Sequence, residues 1–138
     1  MTADKSKTVP ADRDAARQRL RTARAYIEVA DLVLGERGRV EMPSVAAGLA
    51  VLAGIAAADA ICAARLQMIH RGQDHRGAVQ LLEKATPDGA RLASSLRRLL
   101  DVKDAAHYGV VVVAHQRARD AVRWAQLLVD RAGAESER

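Results

Sequence analysis

The sequence contains no phenylalanine, one cysteine and three prolines among 138 residues. A single thiol, Cys62, excludes a disulfide framework and any cysteine-built zinc site. It lies inside an apolar run and reads as a small buried hydrophobe, which suits a reducing compartment. Tyr26, Tyr108 and Trp124 are the only aromatic residues. That is too few for the stacking platform on which single-stranded nucleic-acid binders seat successive bases. Glycine-rich phosphate loops of the GxGxxG and GxxxxGK types are missing, as is HExxH, so no cofactor is expected. The first ten residues are polar and hold no apolar stretch. They read as a disordered arm rather than a signal peptide, and a cytoplasmic location is expected.

What is abundant is alanine, with 29 residues, and arginine, with 18 against 4 lysines. Alanine is the best helix former, so the composition predicts an all-α protein. The length suits one domain with one core. A hydrophobic share of 49% and a charged share of 28% are those of a globular chain. The formal charge of +5 is compatible with RNA, DNA or an acidic protein as partner, although 17 acidic residues offset the 22 basic ones.

Five helical segments account for most of the chain. In the first, from about Ala11 to Leu34, the residues Ala16, Leu20, Ala23, Ile27, Ala30 and Leu34 recur at spacings of four and three, which is one apolar stripe. Arg13, Arg17, Arg21 and Arg24 form a separate, solvated basic face. Gly35 and Gly38 end the helix. The second segment starts at Pro43 and Ser44, with Ser44 as N-cap, and continues to about His70. It is apolar nearly all round and should be the central element. Its small residues, Gly48 and Gly54 among them, favour close helix approach, including approach by a second subunit. A third, short helix is expected over Asp74 to Ala85. A fourth follows the Pro87 break, capped by Asp88 and running to about Leu100, and a fifth spans Val113 to Ala132. Asp101 to Val112 is expected to bend or form a loop, because Gly109 and four consecutive valines disfavour helix. The predicted domain is 11–132, with a disordered tail at 133–138.

The stretch Val45 to Ala64 is long enough to cross a membrane and carries one charge, Asp59. Alanine contributes little to insertion, and a central aspartate costs roughly 2.5–3.5 kcal/mol on insertion scales. A buried helix of a protein without a membrane partner is the expectation. An acid there must be paired, hydrogen-bonded or protonated, and an arginine partner is the simplest solution. The histidines are His70, His75, His107 and His115. No pair has metal-ligand spacing, and no metal site is expected. Arg65 and His70, at the end of the second helix, and Asp59 within it are expected as supporting residues.

The most informative stretch is Leu99-Leu100-Asp101-Val102-Lys103-Asp104-Ala105-Ala106-His107-Tyr108-Gly109. It resembles the signature of the HEPN family, often Leu-Arg-Asn-x-Ala-Asp-Tyr-Gly. The likeness continues through Val110 to Val113 and through Ala118, Ala121, Trp124, Ala125 and Val129, which match that family's final helix. Upstream, Ala60 to Arg65 is similar to its small-residue second helix, and His75-Arg76-Gly77-Ala78-Val79 to its His-Ser-Gly-Val segment. The resemblance covers roughly residues 15–132. It implies a single-domain HEPN-like bundle of about five helices, two of them long and central, that commonly forms a homodimer.

Many members of that family are metal-independent ribonucleases of toxin–antitoxin or defence systems, in which an arginine clamps phosphate and a histidine moves a proton. The resemblance therefore implies His107 and Lys103 as catalytic residues, with Arg98, Asp104 and Tyr108 binding substrate. Lys103 stands where the family has arginine, three residues separate it from His107, and Asp104 stands where asparagine is usual. Lysine lacks the bidentate fork of arginine, so the exchange is not conservative. Two functions follow from this reading. One is RNA binding or cleavage. The other is a non-catalytic helical dimer or interaction module, partner to a nucleotidyltransferase or another nucleic-acid enzyme, whereas an antitoxin is a partner expected of the first.

Overall fold

Residues 7–108 and 112–137 are described by a computed structural model of the chain. The order of elements is β1 (Thr8–Pro10), α1 (Arg13–Leu34), α2 (Met42–Leu66), β2 (Met68–His70), α3 (Arg76–Ala85), α4 (Gly89–Tyr108) and α5 (His115–Ser136). The protein is an all-α bundle, with five helices and one two-stranded sheet among the described residues.

The helix periodicities translate directly into burial. Ala16, Leu20, Ala23, Ile27 and Ala30 of α1 face inward, and Asp12 caps the helix by accepting the Ala15 N–H at 2.8 Å. α2 is packed by α1, α3, α4 and α5, as its nearly uniform apolar character requires. It is also long and apolar enough to cross a membrane, but 72% of its apolar window lies buried within the bundle. Gly54 allows α4 to approach α2: a Cβ there would lie 2.4 Å from Leu99 Cδ1. Gly54 is thus consumed by packing within the chain, whereas nothing lies within 4 Å of a Cβ built on Gly48. Of the two glycines expected to serve a subunit contact, only Gly48 is open.

Several expected boundaries move. The second helix stops at Leu66, not His70, because Gln67 adopts the left-handed conformation (φ 56°, ψ 31°) and turns the chain out. Residues 68–70 then pair antiparallel with 8–10, Val9 opposite Ile69. The N-terminal arm is therefore not disordered from Thr8 onward: it is a strand held by the ladder, and Ala11, 6% exposed, is anchored against Ala16, Ala63 and Ile69. Ser44 is not the N-cap of α2. The helix begins before it, and its Oγ accepts the Val113 N–H at 3.0 Å. Asp88 stands immediately before α4, where a cap is expected; its backbone carbonyl accepts the Arg91 and Leu92 N–H groups, and its carboxylate accepts from the Arg131 guanidinium and Thr86 Oγ1.

α4 does not end near Leu100. It continues to Tyr108, so residues 101–108 are helix rather than loop. The physical reason lies in Val102, which extends the inward row Leu92, Leu96, Leu99 by one more turn and is fully buried. At the other end, α5 runs to Ser136 rather than Ala132. Gly133 and Ser136 are buried, and Glu137 accepts from Arg24 at 2.8 Å, so the expected C-terminal tail is structured through 137.

Candidate functional site: a charged cleft between α3 and α4

The extension of α4 sets the site. Arg97, Leu100, Asp101 and Asp104 are spaced by three and four along it and share one face, with Lys103 beside them. That face opposes the start of α3 and the segment before it. The Asp74 side chain accepts the Arg76 N–H at 3.0 Å and organises this entry into the helix. Between the two lies a cleft of about 630 Å³. Its cations are Arg76, Arg97 and Lys103, its carboxylates Asp74, Asp101 and Asp104, and its remaining polar groups Gln73, Gln80 and His75 over a floor of Val79 and Leu100.

His75 is the chemically informative member. Its pKa lies below the usual imidazole value, first because burial disfavours the cation, then because the charges of Lys103 and His70 oppose protonation. At neutral pH the ring is neutral and can accept a proton, beside an ammonium group that can hold an anion.

Of the residues expected at the site, Lys103 and Asp104 line the cleft. His107 and Tyr108 form the last turn of α4; the roles assigned to their side chains lie outside the described residues. Arg98 is not brought to the cleft. Its guanidinium lies over the Trp124 ring, 5.7 Å from the centroid, and Arg97 occupies the cleft instead.

Arg65 and His70 do not form a working pair. Arg65 donates to Ala85 O and to Glu135 Oε2, both at 3.3 Å, and ties the C-terminal ends of α2, α3 and α5 together. His70 is buried in β2 against Gly77, with neither ring nitrogen hydrogen-bonded to another described residue. Asp59 is 5% exposed and accepts from Arg19 at 3.1 Å, with Arg71 at 3.9 Å. This is the arginine partnership its apolar setting demands.

His75, Arg76 and Arg97 were not singled out as substrate-binding or catalytic from sequence. The available signal was the three-and-four spacing of Arg97, Leu100, Asp101 and Asp104, visible only once 101–108 is read as helix. Among the described residues no group of three or more His, Cys, Asp or Glu side chains is arranged to hold a metal ion. No protein-family model matches the sequence, and a search of curated proteins finds no significant match.

Proposed function

We propose that this chain is a HEPN-like RNA-binding protein that holds a phosphodiester in the cleft between α3 and α4 and cleaves it without a metal. The observation that carries the reading is the juxtaposition of neutral His75 with Lys103, with Arg76 and Arg97 lining the same cleft. The resemblance quoted for residues 99–109 supports the same position on the chain.

In this reading, His75 removes the proton from an RNA 2′-hydroxyl and the 2′-oxygen attacks the adjacent phosphorus. The bond to the 5′-oxygen breaks, and that oxygen leaves with a proton. The products are a 2′,3′-cyclic phosphate and a 5′-hydroxyl, so no water or metal-bound hydroxide is consumed. Lys103 and the two arginines hold the phosphoryl oxygens as charge builds on them. The family resemblance implies His107 as a residue that moves a proton.

The test is incubation of the purified protein with mixed cellular RNA in EDTA. Fragments ending in cyclic phosphate are expected. Lys103→Ala is expected to slow cleavage by about 10²-fold or more, and Lys103→Arg to preserve or raise it. Intact RNA, together with no RNA binding at low salt, overturns the proposal. A second reading then stands, a non-catalytic interaction module for a nucleotidyltransferase or another nucleic-acid enzyme. It is favoured by the balance of three carboxylates against three cations in the cleft, which leaves little net attraction for a polyanion.

A further inference from the structure

Opposite charges line the cleft between α3 and α4 without neutralising one another. Arg76, Arg97 and Lys103 share it with Asp74, Asp101 and Asp104, yet no ion pair joins any of the six to another described residue. The cations suit a phosphodiester, whereas a carboxylate repels one, so the acids need tasks of their own. Two of them have one. Asp74 Oδ1 accepts the Arg76 N–H at 3.0 Å and shapes the entry to α3. Asp104 and His75 interact electrostatically across the cleft. Asp101 has neither task. It is exposed and lies four residues along α4 from Arg97, the spacing at which the two could pair and do not. Water satisfies its carboxylate in the free chain. A ligand that enters the cleft displaces that water and must bring donors in its place.

The ribose whose 2′-hydroxyl reacts carries its base into the same cleft. Val79 and Leu100 form an apolar floor for the face of the base. No aromatic ring lines the cleft among the described residues, so the guanidinium planes of Arg76 and Arg97 are the groups left to stack on it. The edge of the base then meets Asp101. A carboxylate offers acceptors side by side. Of the four RNA bases, guanine alone presents two adjacent donors, N1–H and N2–H, on its Watson–Crick edge. Adenine and cytosine present an amino group next to a bare ring nitrogen, and uracil an N–H between two carbonyls. Each would set an acceptor against the carboxylate. Gln80, on the α3 wall, holds an amide that can donate to the remaining guanine acceptor, O6.

We infer that Asp101 makes the cleft selective for guanine at the nucleotide whose 2′-hydroxyl is attacked, taking N1–H and N2–H on its two carboxylate oxygens. This selectivity rests on the cleft holding a phosphodiester, as proposed above.

Nuclear magnetic resonance titration of the full chain with nucleoside 3′-monophosphates, in the millimolar range, reads the selectivity without cleavage. The guanosine compound should bind about 5- to 150-fold more tightly than the adenosine one. The inosine compound, which lacks the 2-amino group, should fall between them. Asp101→Asn should bring the guanosine and inosine affinities together, with unchanged helical circular dichroism because the side chain is exposed. Comparing ratios removes the general gain in phosphate affinity that loss of one negative charge brings. In EDTA, RNA fragments should end in guanosine 2′,3′-cyclic phosphate. Cleavage without base preference, equal affinities for the three nucleotides, or a guanine preference kept by Asp101→Asn overturns selectivity through Asp101 and leaves the phosphodiester reading standing. Guanine preference in binding with RNA left intact overturns cleavage and keeps the selectivity. No binding of any nucleotide overturns both.

Discussion

Arg19 Nε donates to Asp59 Oδ2 at 3.1 Å and joins α1 to the apolar heart of α2, with Arg71 in support at 3.9 Å. Burial pushes the Asp59 carboxyl up, and the two arginines pull it back only in part. The folded state therefore holds the proton more readily than the unfolded chain does. The charged form costs stability at neutral pH, and the cost is relieved as pH falls.

It follows that Asp59→Leu should be neutral or stabilising at pH 7, while Arg19→Ala should cost about 2–3 kcal/mol. The latter is less than the roughly 3–5 kcal/mol of a fully buried broken pair, because Arg71 remains. The double variant should recover most of the loss. Urea denaturation of the three variants measures this; an Arg19→Ala protein as stable as wild type would show that the pair carries no weight.

Gly77 sits directly on the His70 ring, where a Cβ would lie 2.3 Å from Cε1. His70 is only 6% exposed, so the ring has no free path aside. Gly77→Ala should cost about 1–3 kcal/mol by overpacking. His70→Ala alone should also destabilise, by leaving a cavity. The double variant should lose less than the sum of the two, because the added methyl enters the vacated space. Additive losses in a double-mutant cycle would contradict this contact.

The Asp88 carboxyl is held down to about 2, first by the hydrogen bonds from Arg131, then by that from Thr86. In the unfolded chain it titrates near 3.9. The stabilisation is thus fully present above about pH 4 and is lost as pH falls from there towards 2. Melting temperatures of wild type and Asp88→Asn should differ most at neutral pH and low salt and converge near pH 2. A difference that persists undiminished at pH 2 would place the effect elsewhere.

The Cys62 thiol is buried in α2 and pushed up to about 12, chiefly by burial and secondarily by the nearby Asp59 charge. Disulfide exchange needs both a thiolate and access. Native protein at pH 8 should therefore resist an aromatic disulfide reagent, and labelling should proceed at the rate of opening of the bundle, rising steeply with urea. Immediate stoichiometric labelling of the native protein would contradict the burial.

Much of the fold was legible locally. The apolar stripe of α1 is written at three-and-four spacing, and the unbroken apolar run of α2 can only sit at the centre of a bundle. An aspartate in that run demanded a basic partner, and the demand alone was enough to expect an arginine. The resemblance of residues 99–109 pointed to Lys103 and Asp104 together, and both line the cleft.

What tertiary structure decided are relations across sequence distance. Whether helix persists past Leu100 depends on whether Val102 finds a core to enter, and this packing outweighs the helix-weakening residues that follow at 109–113. Strands of three residues, 8–10 and 68–70, have no periodicity to detect; they exist because each supplies the other's hydrogen bonds. Which arginine reaches the cleft turns on one step of helical phase, sending Arg97 inward to it and Arg98 to Trp124. His75 acquires its low proton affinity from burial and from Lys103, 28 positions away on another helix. Local propensity determined the helices because their hydrogen bonds and stripes repeat every few residues; the cleft needed the bundle, because its electrostatics arise only where separate helices meet.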